Sequence, residues 1–127
     1  MIVVKRAYDA PAETDGLRVL VDRLWPRGIS KEKACIDLWL RDVAPSTALR
    51  KWFDHDPAKW QEFKHHYFAE LDANTESVAE LRAQIAGRRV SLIYGAKDQQ
   101  HNHALALQEY LNRSSKAKST QRHKETS

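Results

Sequence analysis

Two short stretches of this chain hold the residue types that anion binding and proton transfer require. In Asp22-Arg-Leu-Trp-Pro-Arg-Gly28, a carboxylate, two guanidinium groups and an indole follow directly on an apolar run. In Tyr94-Gly-Ala-Lys-Asp-Gln-Gln-His-Asn-His103, a glycine, an amine, a carboxylate, three amides and two imidazoles do the same. Arg23, Arg27 and Lys97 are suited to hold an anion by charge-assisted hydrogen bonds. Asp22 and His101 are the candidates for handling protons, because imidazole titrates near neutrality and a carboxylate can accept from it. Asn102 would donate to a developing oxyanion, while Tyr94 and Trp25 would wall the ligand or, in the case of Trp25, stack on a base. Gly95 lets backbone approach a ligand, and the first turn of the helix expected after it offers unpaired N–H groups to an anion.

Other chemistries lack their usual supports. Residues two apart on a helix diverge by about 200° and adjacent ones by about 100°, so neither His101 with His103 nor His65 with His66 is a natural chelate. No H-E-x-x-H, Walker, GxGxxG or GxSxG pattern occurs, so neither metal nor cofactor is expected. The single Cys35, among apolar neighbours, reads as a small core residue rather than a nucleophile. In Asp54-His-Asp56 the second aspartate reads as a helix cap and His55 as loop decoration, with His103 expected to face solvent or pack locally. Trp39, Trp52 and Trp60 read as core anchors.

At 127 residues, 42% hydrophobic and 30% charged, the chain fits a single domain over residues 1–112. No apolar run approaches the ~20 residues that span a bilayer, and Met1-Ile-Val-Val-Lys-Arg6 lacks the pattern of a secretory signal. One cysteine suits a reducing compartment, so a cytoplasmic location without membrane association is expected. The net charge of +4 is a property of one end: residues 113–127 hold five of the 21 Lys and Arg but one of the 17 acidic residues. The body is therefore formally neutral. That tail has no large apolar residue and is expected to be disordered.

The elements that must position the two polar stretches can be read from periodicity. Residues 2–7 suit an opening strand, and Leu17, Val19 and Val21 alternate with Arg18, Leu20 and Asp22 in a second over 18–23. Pro26 then forbids ladder pairing. Ser30 caps a short turn through Lys33, and Ile36, Leu38 and Leu40 suggest a third strand, with a short helix as the competing reading. Ser46 and Asp56-Pro57 mark two helix starts. Trp60, Phe63, Tyr67 and Leu71 recur at helical spacing, a further helix runs from Ser77 to Ala86 with Ser77 and Glu80 at capping-box spacing, residues 89–94 form the last strand, and 99–112 a closing helix. Interleaved strands and helices predict an α/β fold with a small mixed sheet of three to four strands flanked by helices. If the strands at 18–23 and 89–94 are parallel neighbours, their exit loops converge in the crevice where such sheets bind ligands.

Taken together, several segments resemble the YeaO-like branch of a bacterial family named domain of unknown function 488. They are Asp22-Arg-Leu-Trp-Pro-Arg-Gly28, Trp39-Leu-Arg-Asp-Val-Ala-Pro-Ser46, Leu49-Arg-Lys-Trp-Phe-Asp-His-Asp-Pro57 with Trp60, Phe63 and Tyr67, and Leu92-Ile-Tyr-Gly-Ala-Lys-Asp98 with His101-Asn102. The resemblance spans residues 2–112 and implies a small cytosolic α/β domain, with no reaction to carry over. A more distant branch is similar in placing Cys and Glu after its last strand and Cys-His-Arg at the next helix. This chain has Tyr94, Ala96, Lys97 and His101-Asn-His103 there, so shared thiol chemistry is not implied. The reading that follows is a polar pocket at strand ends for an anionic small molecule or nucleotide-like group, with catalysis and oligomeric state left open. The alternatives are a nucleic-acid-associated module gripping phosphates with the same arginines and the tail, and a scaffold for a protein partner.

Overall fold

Four strands line up in one sheet in the computed structural model, which describes residues 1–113. They are β1 (Ile2–Arg6), β2 (Leu17–Leu20), β3 (Leu38–Trp39) and β4 (Val90–Tyr94), in the order β1-β4-β2-β3. All three pairings are parallel. The α/β fold expected from the interleaved pattern is present, and the carboxyl ends of all four strands emerge on one edge. The last strand in sequence lies in the interior of the sheet. Every residue of Val90-Ser-Leu-Ile-Tyr94 is buried, which suits the near-continuous apolar run of a strand covered on both faces.

The two faces are covered differently. Val19 of β2, Val21 just past it, and Val90, Leu92 and Tyr94 of β4 look into the main core. That core lies beneath α3 (Trp60–Ala73), α4 (Thr75–Ile85) and α5 (residues 103–113). In α3 the expected stripe is real: Phe63, Tyr67 and Leu71 are buried one turn apart. The Tyr67 hydroxyl donates to the Val43 carbonyl, and burial, with Glu70 and Asp22 nearby, pushes it well above its ordinary pKa. Leu20, Ile93 and Ala7 face the other way, under Trp25, Ile29, Ile36 and Trp39 from the segment between β2 and β3.

That second face also buries charge. Lys5 Nζ lies 2.9 Å from Asp15 Oδ1, and Arg18 Nη1 lies 2.5 Å from Asp15 Oδ2. Arg18 places Nε and Nη2 on the Ala34 carbonyl at the end of α1 (Lys31–Ala34), at 3.1 and 2.8 Å. Ser91 Oγ donates to the Asp15 carbonyl at 2.8 Å. Gly16 makes the approach possible, since with φ of 66° a Cβ there would sit 2.2 Å from the Arg89 carbonyl oxygen. Burial by itself would raise the Asp15 carboxyl. The Ala12 N–H, Lys5 and Arg18 together outweigh it and hold the group below its ordinary value.

Several expected boundaries shift. Ser46 caps α2 (Thr47–Phe53), accepting from the Leu49 N–H at 3.1 Å, and Glu70 of α3 accepts from the Ser46 N–H at 2.8 Å. At Asp56-Pro57 the cap forms, but it opens a 3-10 turn (Pro57–Lys59) that leads into α3. The Ser77–Glu80 box is not used, because α4 begins at Thr75 directly after a tight joint at Asn74. Cys35, expected in the core, is exposed: α1 is a single turn and closes on a left-handed residue, φ 49°, at this position. The tail over 113–127 lies outside the described residues except for Arg113.

Replacing Asp15 with Asn leaves Lys5 and Arg18 without a counter-charge, the situation in which a broken buried pair costs about 3 kcal/mol or more. Urea unfolding at neutral pH is expected to show that loss. The wild type should lose the same increment as pH falls through the lowered Asp15 pKa, because the folded carboxylate holds its proton less tightly than the unfolded one. The D15N protein should lack that part of the acid dependence.

Candidate functional site

The chain leaves β2 toward the loop-covered face and leaves β4 toward the helical face, so a crevice opens between two adjacent strand ends. Its volume is about 580 Å³. The Asp22–Arg27 segment forms one wall, Gly95 with the start of α5 another, and α2 with its exit the third. Tyr8, just past β1, closes the fourth side, its hydroxyl donating to the Arg27 carbonyl at 2.8 Å.

Asp22 joins the first two walls. Its Oδ2 accepts the Gly95 N–H at 2.8 Å, a contact that depends on glycine, since a Cβ there would lie 3.0 Å from that oxygen and 3.4 Å from Pro26 Cβ. Its Oδ1 lies 3.0 Å from His103 Nε2, which is also 3.0 Å from the Val21 carbonyl oxygen. A carbonyl can only accept, so Nε2 donates to Val21, while Asp22 Oδ1 lies within ion-pair distance but takes no hydrogen bond. The Trp39 indole donates to the Asp22 carbonyl at 2.7 Å.

The imidazole facing Asp22 is therefore His103, which the sequence reading expected to face solvent or pack locally. His101 also lines the cavity, with Nδ1 3.1 Å from Asp98 Oδ2 and its ring edge-on to Trp60. Asp98 itself accepts from the Gln100 and His101 N–H groups at 2.8 and 3.0 Å. The Gln100 bond is the largest influence, and with the His101 contacts it overcomes desolvation to hold the Asp98 carboxyl below its usual range.

The remaining candidates divide. Arg23, Trp25 and Arg27 line the cavity. Arg23 donates from Nη2 to the Ala44 carbonyl at 3.2 Å, while its Nε is buried with no acceptor. Trp25 is half-buried, with Nε1 donating to the Ile29 carbonyl at 2.7 Å and its ring set edge-on to Trp39. Asn102 is buried at the rim, but its Oδ1 caps α5 through the Leu105 N–H and its Nδ2 donates to the Asp98 carbonyl. Tyr94 points into the main core, and burial pushes its hydroxyl above the ordinary value. Lys97 is exposed and lies outside the cavity wall.

The third wall supplies charge that the sequence reading missed. Arg50, Lys51, Asp54 and His55 line the cavity from α2 and its exit. Asp54 and His55 both hold left-handed backbone, φ 47° and 55°, a conformation costing an L-residue roughly 1–2 kcal/mol. Successive left-handed residues other than glycine turn the chain sharply here and bring both side chains to the rim. Counting fixed charges, Arg23, Arg27, Arg50 and Lys51 face Asp22 and Asp54, so the wall is net cationic. Among the described residues no group of His, Cys, Asp or Glu side chains is arranged to hold a metal ion.

Comparison with known proteins decides the family, because one family profile matches residues 1–127 in full. The chain belongs to the inactive DUF488-N3 subclade. A DUF488 relative, the uncharacterized protein YeaO of Escherichia coli, is 43% identical over 111 residues, which is 87% of this chain and 96% of that protein. The uncharacterized protein Rv3073c of Mycobacterium tuberculosis is 38% identical over 109 residues, covering 86% of this chain and 92% of its own length. The resemblance to the YeaO-like branch is thus shown, over the same stretch of the chain that carries this DUF488 cavity. No solved structure matches.

Asp22→Ala should leave the Gly95 N–H in a partly enclosed space without an acceptor, while His103 keeps the Val21 carbonyl. Losing such a partner costs about 1–3 kcal/mol, so a fall in melting temperature of roughly 4 °C or more is expected for a domain of this size. His103→Ala should destabilise less, since Asp22 then keeps the Gly95 bond.

Proposed function

We propose that the strand-end cavity is a binding site for an anionic small molecule or nucleotide-like group. The observation that carries this reading is Arg23: its Nε is buried beside the cavity with no hydrogen-bond partner, and the neighbouring Asp22, whose Oδ2 takes the Gly95 N–H, does not accept from it. A buried donor without a partner is costly, and an oxyanion entering the cavity would satisfy it. Arg27, Arg50 and Lys51 supply further positive charge on the same wall. In this reading Arg23 and Arg27 hold the anion, Asp22 orients His103, and His103 and His101 offer ring nitrogens to the bound group. The description of the subclade as inactive favours binding over turnover. No helix among the described residues is long and apolar enough to cross a membrane, and the proposed setting is the cytoplasm.

The two other readings, a nucleic-acid module and a protein scaffold, draw less support. Trp25, which would stack on a base, is held edge-on against Trp39 with its N–H already bonded. Half-buried and fixed in this way, the ring would have to leave Trp39 and Ile29 to stack on a base.

Thermal shift against inorganic phosphate, sulfate, citrate and adenosine monophosphate tests the proposal. A ligand present at about ten times its Kd stabilises the native state by about 1.4 kcal/mol, a rise of roughly 6 °C for a domain of this size. Arg27→Ala, at an exposed position, should abolish or strongly reduce that rise, and so should Arg23→Ala. Lys97→Ala, outside the wall, should leave it unchanged. No shift with any of these anions, or an equal loss in the Lys97 variant, would overturn the reading.

A further inference from the structure

An inorganic oxyanion would use only part of this cavity. Its charged residues occupy the Arg23, Arg27 and α2 side, but Leu24, Pro26, Phe53 and Phe63 are also in the wall. The two phenylalanine rings form a fixed apolar floor: their centroids are 4.5 Å apart, and Phe63 is stacked in turn on Trp60 at 5.7 Å. At the mouth the chain does something unfavourable. Leu24 is 69% exposed and Tyr8 45%, two of the four large hydrophobic side chains left open to solvent among the described residues, and both line this cavity. A single exposed leucine needs no explanation, but two large apolar groups at one cationic cavity, above an aromatic floor, are the arrangement of a binding site rather than of a random surface.

We infer that the ligand is an amphipathic organic anion: an oxyanion head held by Arg23 and Arg27, joined to an apolar or aromatic body that lies across Phe53 and Phe63 and is covered at the mouth by Leu24. This rests on the anion-binding reading above and adds the class of molecule. The volume agrees with it, since about 580 Å³ falls within the range of small-molecule pockets and far exceeds the needs of a phosphate or sulfate ion. The placement of charge agrees as well. Arg23 precedes Leu24 and Arg27 follows Pro26 in one short segment, so head and body would be gripped by the same loop, with Gly28 at φ 78° completing its turn. Leu24 would then be the residue that separates organic anions from inorganic ones, because its side chain has no packing role in the folded protein and gains contact only when a body is present.

Calorimetric titration of the full chain with matched pairs tests this: inorganic phosphate against phenyl phosphate, and acetate against phenylacetate, with phenol as the body alone. Within at least one pair the ring-bearing anion is expected to bind about tenfold tighter than its parent, the scale of burying one modest apolar surface. Leu24→Ser, at a position too exposed to endanger folding, should remove most of that advantage while leaving the affinity for the parent anion unchanged. Equal affinities within both pairs, or an advantage that survives Leu24→Ser intact, overturns the amphipathic assignment while the anion site stands. Absence of binding by all four anions, or binding of phenol alone, overturns the anion site and this assignment with it.

Discussion

The carboxylate of Asp22 is the contact on which the rest of the site depends. It sits two residues beyond the end of β2, bonds the first amide after β4 with one oxygen and lies beside the imidazole at the start of α5 with the other. Its own carbonyl takes the indole of Trp39 at the end of β3. Three strand ends and a helix are thus indexed to one residue. The Gly95 bond, a hydrogen bond to a charged group, is of a kind that contributes about 1.5–3 kcal/mol, and its directionality fixes geometry more firmly than apolar packing would. Gly95 is the condition for it, because any side chain there would press on the accepting oxygen.

That contact exists because β2 lies beside β4 in parallel, and the pairing is secured from below by a second polar device. Asp15, Lys5 and Arg18 come from the connection before β2, from β1 and from β2, and Ser91 of β4 joins them through the Asp15 carbonyl. The group therefore spans three neighbouring strands on the face that has no large helix to cover it. A formally balanced body is not evenly mixed: this group sets two cations on one carboxylate, the cavity also carries a cationic excess, and the compensating acidic residues lie elsewhere. Local segregation, and not the overall charge of +4, is what gives the site its sign.

The aromatic residues serve both functions at once. Phe53 ends α2, Phe63 opens the buried stripe of α3, and their contact joins the two helices while presenting an apolar floor to the cavity. The same contact aims the exit of α2, where Asp54 and His55 take left-handed backbone and turn toward the mouth. Core packing and site shape cannot be varied independently here.

How much of this was written locally can be judged residue by residue. Ser46 and Asp56 were legible as helix starts because capping is a contact between residues two or three apart. The stripe of α3 and the buried run of β4 were legible because helical and strand periods repeat over a few residues. Asp22, Arg23, Arg27 and His101 were legible as cavity residues because charge directly after an apolar strand must emerge at its end. What sequence could not carry is anything that depends on which elements become neighbours. Nothing near residue 90 states that β4 inserts between β1 and β2, and nothing near Arg50 or Lys51 states that α2 will face that strand end. The exchange of roles between His101 and His103 has the same origin on a smaller scale. It follows from α5 being capped at Asn102, so that the second histidine, His103, rather than the first, meets Asp22. Sequence alone determined the parts and their polarity. The parallel pairing of distant strands, stabilised only when the whole core forms, decided which of those parts share a cavity.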